Sequence, residues 1–265
     1  MIPLPPELYE QIFNHLGQKE LYPVLLVSHL FNREATRQLY CDIVLPPRAE
    51  NPLPSGEQLS QLLDTLNQTP VYTLLVQSFD IGQFTTPPRD TSCREIVDVL
   101  LAARHLRSLR LPSWFTSKYL SNLQPPPFRL RNLSFYVTCD EHAVAFLAHH
   151  PGMEELKWFL GSYVEEPTVL SISRDTFPRL RSLSIYANGL IIGSSSLAHL
   201  RTYKMDYLYR FRSLWPAVQL LSVSFLNFSR QEFEEISSLF PSLKYLQLFL
   251  VIIHPDNLPE LTNVR

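Results

Sequence analysis

The sequence predicts a mixed α/β protein in which N-terminal helices precede alternating strands and helices. Three observations lead to this prediction. The first forty-five residues carry apolar side chains at helical spacing, and an apolar six-residue phrase then returns seven times between Leu106 and Leu248. Stretches with helical periodicity separate several of its copies. Such an alternation is typical of a parallel sheet covered by helices.

Residues 3 to 45 predict three short helices, over residues 3–17, 21–31 and 35–40. The apolar residues at helical spacing in the first of them are Leu8, Ile12, Phe13 and Leu16. Pro5 and Pro6 suit a first helical turn, where a missing N–H costs little. Gly17 is expected to close this helix, since a C-terminal cap tolerates positive φ. So small a unit cannot cover all its apolar surface, and we expect part of that surface to contact the rest of the chain or a partner.

This segment resembles the F-box, in the variety that opens many fungal proteins. The resemblance lies in Leu4-Pro5, Glu7-Leu8, Ile12-Phe13, Leu16, Leu25-Leu26-Val27-Ser28, Phe31, Ala35 and Leu39-Tyr40. Leu39-Tyr40 stands where the motif often ends in tryptophan. The resemblance implies docking to the Skp-type adaptor of a cullin–RING ubiquitin ligase. The alternative is a plain helical cap on the domain that follows.

The residues expected to bind the adaptor are Leu4, Pro5, Leu8, Ile12, Phe13, Leu16 and Val27. Some of them must instead hold the three helices together, and the sequence alone does not separate the two sets.

Composition and charge indicate an ordinary globular chain. Of its 265 residues 45% are hydrophobic and 12% aromatic, and the formal net charge is −2. This balance favours neither nucleic acid nor a membrane surface as a partner. The longest apolar run, residues 248–253, is too short to span a bilayer. Three scattered cysteines argue against paired disulfides, so we expect a reducing compartment, cytoplasmic or nuclear.

Proline clusters predict the domain boundaries. The chain has 22 prolines and 7 glycines, and clustered prolines interrupt regular structure. The segment 46–56 is therefore expected to link N-terminal helices (1–45) to a second domain (57–265).

The second domain repeats one phrase: apolar, two variable residues, apolar, one variable residue, apolar. Its copies are Leu106-Leu109-Leu111, Leu130-Leu133-Phe135, Met153-Leu156-Trp158, Leu180-Leu183-Ile185, Leu200-Tyr203-Met205, Val218-Leu221-Val223 and Leu243-Leu246-Leu248, after a weak copy Val71-Leu74-Val76. Helical periodicity marks 57–66, 94–103, 141–149 and 229–240. The starts from Leu106 onward lie 18 to 27 residues apart, and most fit the ~20–29 residues of leucine-rich repeats.

These copies resemble degenerate leucine-rich repeats, which implies an irregular solenoid with a parallel sheet on one face. Only Asn188 stands where the family's asparagine ladder is expected. An ordinary α/β sandwich with coincidental leucine spacing is the alternative. The chain ends soon after Leu258, Leu261 and Val264 begin another copy, so a frayed, adhesive or shortened C-terminus is expected.

The residues between the apolar positions predict the open face of the sheet. The fifth position reads Arg110, Ser134, Lys157, Ser184, Lys204, Ser222 and Gln247, a polar-to-basic column with no acid. Aromatic residues recur at the seventh position. The expected target-binding residues are Arg110, Tyr136, Lys157, Phe159, Tyr186, Lys204 and Phe249. Such a face favours an acidic protein segment as target, although these residues equally suit a face that only needs to be soluble.

Catalytic constellations are not recognisable in the sequence. It has no glycine-rich phosphate loop and no nucleophile elbow. His142, His149 and His150 lie near Cys139 and Asp140, but the last two histidines are expected as cations at a helix C-terminus rather than as zinc ligands. We therefore expect no catalytic residue, metal or cofactor.

The sequence as a whole predicts a substrate receptor of a cullin–RING ligase, which docks the adaptor by its N-terminal helices and an unknown target protein by its solenoid. A leucine-rich scaffold without a ligase is the alternative, and an enzyme with an unrecognised site is a weaker one.

Overall fold

The protein was studied as a computed structural model that describes residues 5–13, 15–44, 56–84, 87, 93–137, 140–159, 170–172, 176–186, 190–192, 197, 199–202, 218–225, 240 and 242–250. These residues belong to two compact units, Met1–His150 and Pro151–Arg265. Both units contain parallel strands and the first also contains helices, so the predicted α/β class is confirmed. Among the described residues, no helix has the length and apolar character needed to cross a bilayer.

Three N-terminal helices are present, as predicted: α1 (Pro6–Phe13), α2 (Gln18–Val24) and α3 (His29–Cys41). The bounds expected for the second are wrong, because the chain turns at 25–27 and Phe31 belongs to α3. The Ser28 hydroxyl accepts the Phe31 N–H at 3.2 Å and caps the start of α3. The expectation for Gly17 is wrong, because its φ of −69° is ordinary extended backbone and it precedes α2. The Gly17 N–H donates to the Glu20 carboxylate at 2.7 Å, which ties the chain to the first turn of α2.

The rest of the first unit alternates strands with helical segments. Its strands are β1 (Asp42–Val44), β2 (Ser78–Asp80), β3 (Ser108–Arg110) and β4 (Asn132–Phe135). Its helices are α4 (Gly56–Gln68), α5 (Pro70–Thr73), α6 (Cys93–Ala102), the 3-10 helix Ser117–Leu123 and α7 (Glu141–Ala148). The helices predicted over 57–66, 94–103 and 141–149 are thus confirmed as α4, α6 and α7.

The strands of the first unit pair in parallel and in chain order. Their register aligns one buried residue from each strand: Ile43, Phe79, Leu109 and Leu133. The helical segments also contact one another in chain order, α4 with α6, α6 with the 3-10 helix, and the 3-10 helix with α7. Each strand and the segment after it therefore adds one step to a common core.

One predicted copy of the phrase is wrong. Val71 lies in α5 with 59% of its surface exposed, and Leu74 is exposed as well. The buried phrase is instead Val76-Phe79-Ile81, which begins five residues later. Pro70 explains the shift, because its fixed φ and missing N–H suit the first position of a helix.

The second unit is described mainly by its strands. They are β5 (Glu155–Phe159), β6 (Leu170–Ile172), β7 (Ser182–Tyr186), β8 (Leu190–Ile192), β9 (His199–Thr202), β10 (Leu220–Phe225) and β11 (Tyr245–Leu250). Parallel pairing runs β5-β7-β9-β10-β11, and β6 pairs with β8 separately. Leu156, Leu183, Leu200 and Leu221 are aligned and buried.

This register corrects a second copy. The sequence placed Tyr203 at the central position, but the strand aligns Leu200 with Leu183 and Leu221. Leu197 is fully buried as well, so the phrase is Leu197-Leu200-Thr202 and starts three residues earlier. The predicted 46–56 linker apart from Gly56, the helix predicted over 229–240 apart from residue 240, and the C-terminal copy lie outside the described residues.

Candidate functional site

The three N-terminal helices share a small aromatic core. Tyr9, Phe13, Leu21 and Ala35 are buried in it. The Phe31 ring meets the rings of Tyr9 and Phe13 edge to face, with centroids 5.2 and 5.5 Å apart. Such contacts add to the burial energy of each ring. Apolar residues that pack in this core are not available to a partner, so the exposed apolar residues of the same helices are the candidates for binding.

Two of the predicted docking residues belong to that core. Phe13 is only 3% exposed, so it is one of the predicted residues that hold the three helices together. Leu16 is half-buried against the same cluster, because the chain turns back there towards α2. Leu16 is thus part of the packed side of the helices.

Other predicted docking residues are exposed. Leu8 and Ile12, four positions apart on one face of α1, are 38% and 46% exposed, and Val27 is 63% exposed. Pro5 is exposed too, and Leu4 lies outside the described residues. Leu26 is the most exposed of these apolar residues at 88%; it belongs to the F-box resemblance but was not among the predicted docking residues. No periodic signal marks it, since it lies in a turn.

Hydrogen bonds fix the turn between α2 and α3. The Leu26 N–H donates to the Pro23 carbonyl and the Val27 N–H to the Val24 carbonyl, both at 3.2 Å. The Asn32 side-chain amide donates to the Leu25 carbonyl at 3.1 Å. Leu25 packs against the aromatic core, whereas the next two side chains point away from it. The turn therefore holds two adjacent apolar side chains in water.

The sheet face of the first unit is not the acid-free column that the sequence predicted. Asp80 is aligned with Arg110 and pairs with its guanidinium at 3.4 Å. The Asp80 carboxylate also accepts the Gly82 N–H at 3.0 Å. The Arg110 side chain lies across Gly82, so close that a Cβ there would sit 2.4 Å from it. Asp80 was missed because its repeat was placed five residues too early.

In the second unit, too, the described sheet face includes an acid. Lys157 is exposed but pairs with Glu155, two positions earlier on the same strand, at 2.8 Å. Arg201, rather than Lys204, is aligned with Ser184 and Ser222. Lys204 itself lies outside the described residues. Each unit thus places an acid beside one exposed cation of the predicted column, Asp80 beside Arg110 and Glu155 beside Lys157, so the described part of the face has mixed charge.

The predicted aromatic flank is described in part. Tyr136 and Phe159 are half-buried and have further contacts of their own. Tyr186 and Phe249 lie in β7 and β11, but their side chains are outside the described set. Of the three serines of the column, Ser134 is half-buried, whereas Ser184 and Ser222 are buried. The Ser222 hydroxyl donates to the Gln247 side-chain oxygen at 3.1 Å.

His150 of the histidine cluster packs in the interior of the first unit. His150 is fully buried, stacked on Phe128 and edge-on to Phe146. Its Nδ1 accepts the Leu130 N–H at 3.3 Å, and its Nε2 has no partner among the described atoms. Burial, helped by Arg129 and His149, lowers the pKa of His150 to about 3. The expectation of a cation at this position is therefore wrong.

Among the described residues, no group of histidine, cysteine or carboxylate side chains is arranged to hold a metal ion. What the described part of the chain offers a partner is an exposed apolar turn in the N-terminal helices and sheet faces of mixed charge. No protein-family model matches the chain, and no curated protein matches its sequence.

Proposed function

We propose that the protein is the substrate receptor of a cullin–RING ubiquitin ligase. In this proposal the N-terminal helices are an F-box that binds the Skp-type adaptor, and the strand–helix series is an irregular leucine-rich solenoid that binds a target protein. The receptor contributes proximity, because tethering raises the effective concentration of the target near the ligase.

The observation that carries the proposal is the pair Leu26 and Val27. A turn between packed helices usually exposes polar residues, because water then solvates it without loss. Here the turn is fixed by three hydrogen bonds, and it exposes a leucine and a valine side by side. Exposed apolar patches on an ordered surface mark protein-binding sites. Leu8 and Ile12 add a second exposed apolar pair on α1.

The target-binding half of the proposal needs a different partner from the one that the sequence favoured. Exposed Arg110 and Lys157 each have an acid beside them, Asp80 and Glu155. An acidic target would be repelled by these carboxylates as well as attracted by the cations. A target segment with alternating charge and some apolar side chains fits the described faces better than a purely acidic one.

Co-expression with the Skp-type adaptor tests the proposal. We expect a one-to-one complex that survives moderate salt, because apolar contacts dominate the docking surface. The Lys157→Glu variant should form the same complex, since that residue lies on the proposed target face. A folded chain that elutes separately from the adaptor would contradict the ligase assignment and favour a leucine-rich scaffold.

A further inference from the structure

A cleft of about 350 Å³ lies in the first unit, where α2 and α3 meet β1, α4 and α5. Its lining includes three tyrosines, Tyr22, Tyr40 and Tyr72, together with Asn32 and Thr36; the other lining residues are aliphatic. The volume lies near the lower end of the ~300–1,000 Å³ that small-molecule sites occupy. The space therefore suits a molecule built on one ring.

Two of the tyrosines that line the cleft stack on each other, which leaves the outer face and the edge of each ring free of the other ring. The rings of Tyr40 and Tyr72 are stacked, with centroids 4.3 Å apart and planes 13° from parallel. A third ring, that of Tyr22, is well exposed and also lines the cleft. Aromatic rings gain from offset stacking or edge-to-face contact with further rings. A planar ligand thus gains more here than a puckered one of equal size.

The lining of the cleft that the structure describes carries no charge. Among those described residues there is no aspartate, glutamate, lysine, arginine or histidine. Burial, with smaller effects from Tyr72 and Tyr22, raises the pKa of Tyr40 above its usual value, so its phenol stays protonated near neutral pH. An ion placed here would lose hydration without gaining a counter-charge. Phenol, amide and hydroxyl groups on the walls instead suit a neutral hydrogen-bonding substituent.

We propose that this cleft binds a small, uncharged aromatic molecule with a hydroxyl or similar polar substituent. The proposal is independent of adaptor docking, because it rests on the stacked tyrosines and on the absence of ionic side chains from the described lining.

The test is a titration of the intact, methyl-labelled chain with phenol, followed by NMR. Phenol is expected to shift the methyl signals of the aliphatic lining residues Ile43, Val44 and Leu62 along one saturable curve. Cyclohexanol, of similar size but not planar, should bind several-fold more weakly, and benzoate, planar but charged, should not bind. Shifts of equal size at exposed Val71 outside the cleft, or equal binding of benzoate, would overturn the proposal, as would the absence of saturable shifts.

Matched variants locate the site. Tyr72→Leu removes one of the two stacked rings and should weaken phenol binding about tenfold. Tyr245→Leu, which removes an exposed ring in the second unit, should leave binding unchanged. Should Tyr72→Leu fail to fold, Val44→Trp fills the cleft from its partly exposed rim. Phenol binding that persists in either cleft variant at the strength of the unmodified chain would overturn the proposal.

Discussion

Acid should destabilise the first unit through His150. Nδ1 of its ring accepts the Leu130 N–H, so the proton of the neutral ring is on Nε2. A second proton would have to enter on Nδ1 and face that donor. The ring is also buried between two phenylalanines, and a charge there loses its hydration. Burial, helped by the charges of Arg129 and His149, lowers the pKa of His150 to about 3 in the folded chain.

The direction of this pH effect follows from the number of protons that the folded and unfolded chains bind. In the unfolded chain the histidine pKa is about 6.5. Between pH 6.5 and 3 the unfolded chain therefore binds more protons than the folded chain, and stability falls as pH falls through that window. One pKa unit corresponds to about 1.4 kcal/mol. Between pH 7.5 and pH 5, His150 should therefore lower the free energy of unfolding by about 2 kcal/mol. Above pH 7 the ring is largely neutral in both the folded and the unfolded chain, so His150 causes no such loss of stability there.

Urea unfolding at pH 7.5, 6 and 5 measures this effect. In His150→Asn the side-chain oxygen can still accept the Leu130 N–H, but the residue no longer titrates. The variant should lose about 2 kcal/mol less than the unmodified chain between pH 7.5 and 5. His105→Asn, which replaces an exposed histidine of the same unit, is the control and should keep the original slope. Equal slopes in all three proteins would refute the reasoning, as would an NMR titration that places the midpoint of His150 above pH 6.

Three further predictions concern packing, capping and the sheet face. Phe13→Ala should cost about 3–5 kcal/mol in urea unfolding, because the ring is buried, whereas Ile12→Ala should cost less than about 1 kcal/mol; equal losses would contradict the division of α1 into a packed and an exposed side. Ser28→Ala should cost about 1 kcal/mol by removing the cap of α3, while Ser28→Asp should retain most of the stability; a neutral Ser28→Ala would contradict the cap. Gly82→Ala should displace the Arg110 side chain at a cost of under about 1 kcal/mol, since its exposed ion pair contributes little, and a crystal structure with Arg110 unmoved would contradict the predicted clash.

Local periodicity predicted most of the secondary structure in the first unit. Apolar residues recur at helical spacing in the three N-terminal helices and in α4, α6 and α7. This spacing predicts a helix well because such a helix buries one apolar face. The phrases at Leu106 and Leu130 were also placed correctly. Their central residues, Leu109 and Leu133, are aligned and buried in neighbouring strands.

Register was harder to predict than pattern. Val71-Leu74-Val76 and Val76-Phe79-Ile81 satisfy the same phrase, and only the helix that begins at Pro70 excludes the first. Near Leu200 two overlapping phrases compete, and pairing with β7 and β10 selects the earlier one. The spacing of apolar residues within one copy does not show which residues of the neighbouring strands are aligned with it. The strand pairing in the structure fixes that register.

The division of docking from packing residues also needed the tertiary structure. Ile12 and Phe13 are adjacent and both apolar, and the second is buried by its packing against Tyr9, Phe31 and the rest of the aromatic core. The Asp80–Arg110 pair joins residues 30 positions apart, which only the parallel register brings together. Neither the packing of Phe13 nor the Asp80–Arg110 pair can be read from the spacing of residues in the sequence.

The affinity of the purified chain for the Skp-type adaptor tests the central claim most directly. Calorimetric titration would compare the unmodified chain with Leu26→Ser/Val27→Ser and with the control Val71→Ser/Leu74→Ser, which makes the same kind of change at exposed positions near α5. If the turn docks, the first pair loses about 3 kcal/mol of apolar burial, roughly a hundredfold in Kd, and the control binds like the unmodified chain. Unchanged affinity in the first pair, or no binding by the unmodified folded chain, would contradict the account.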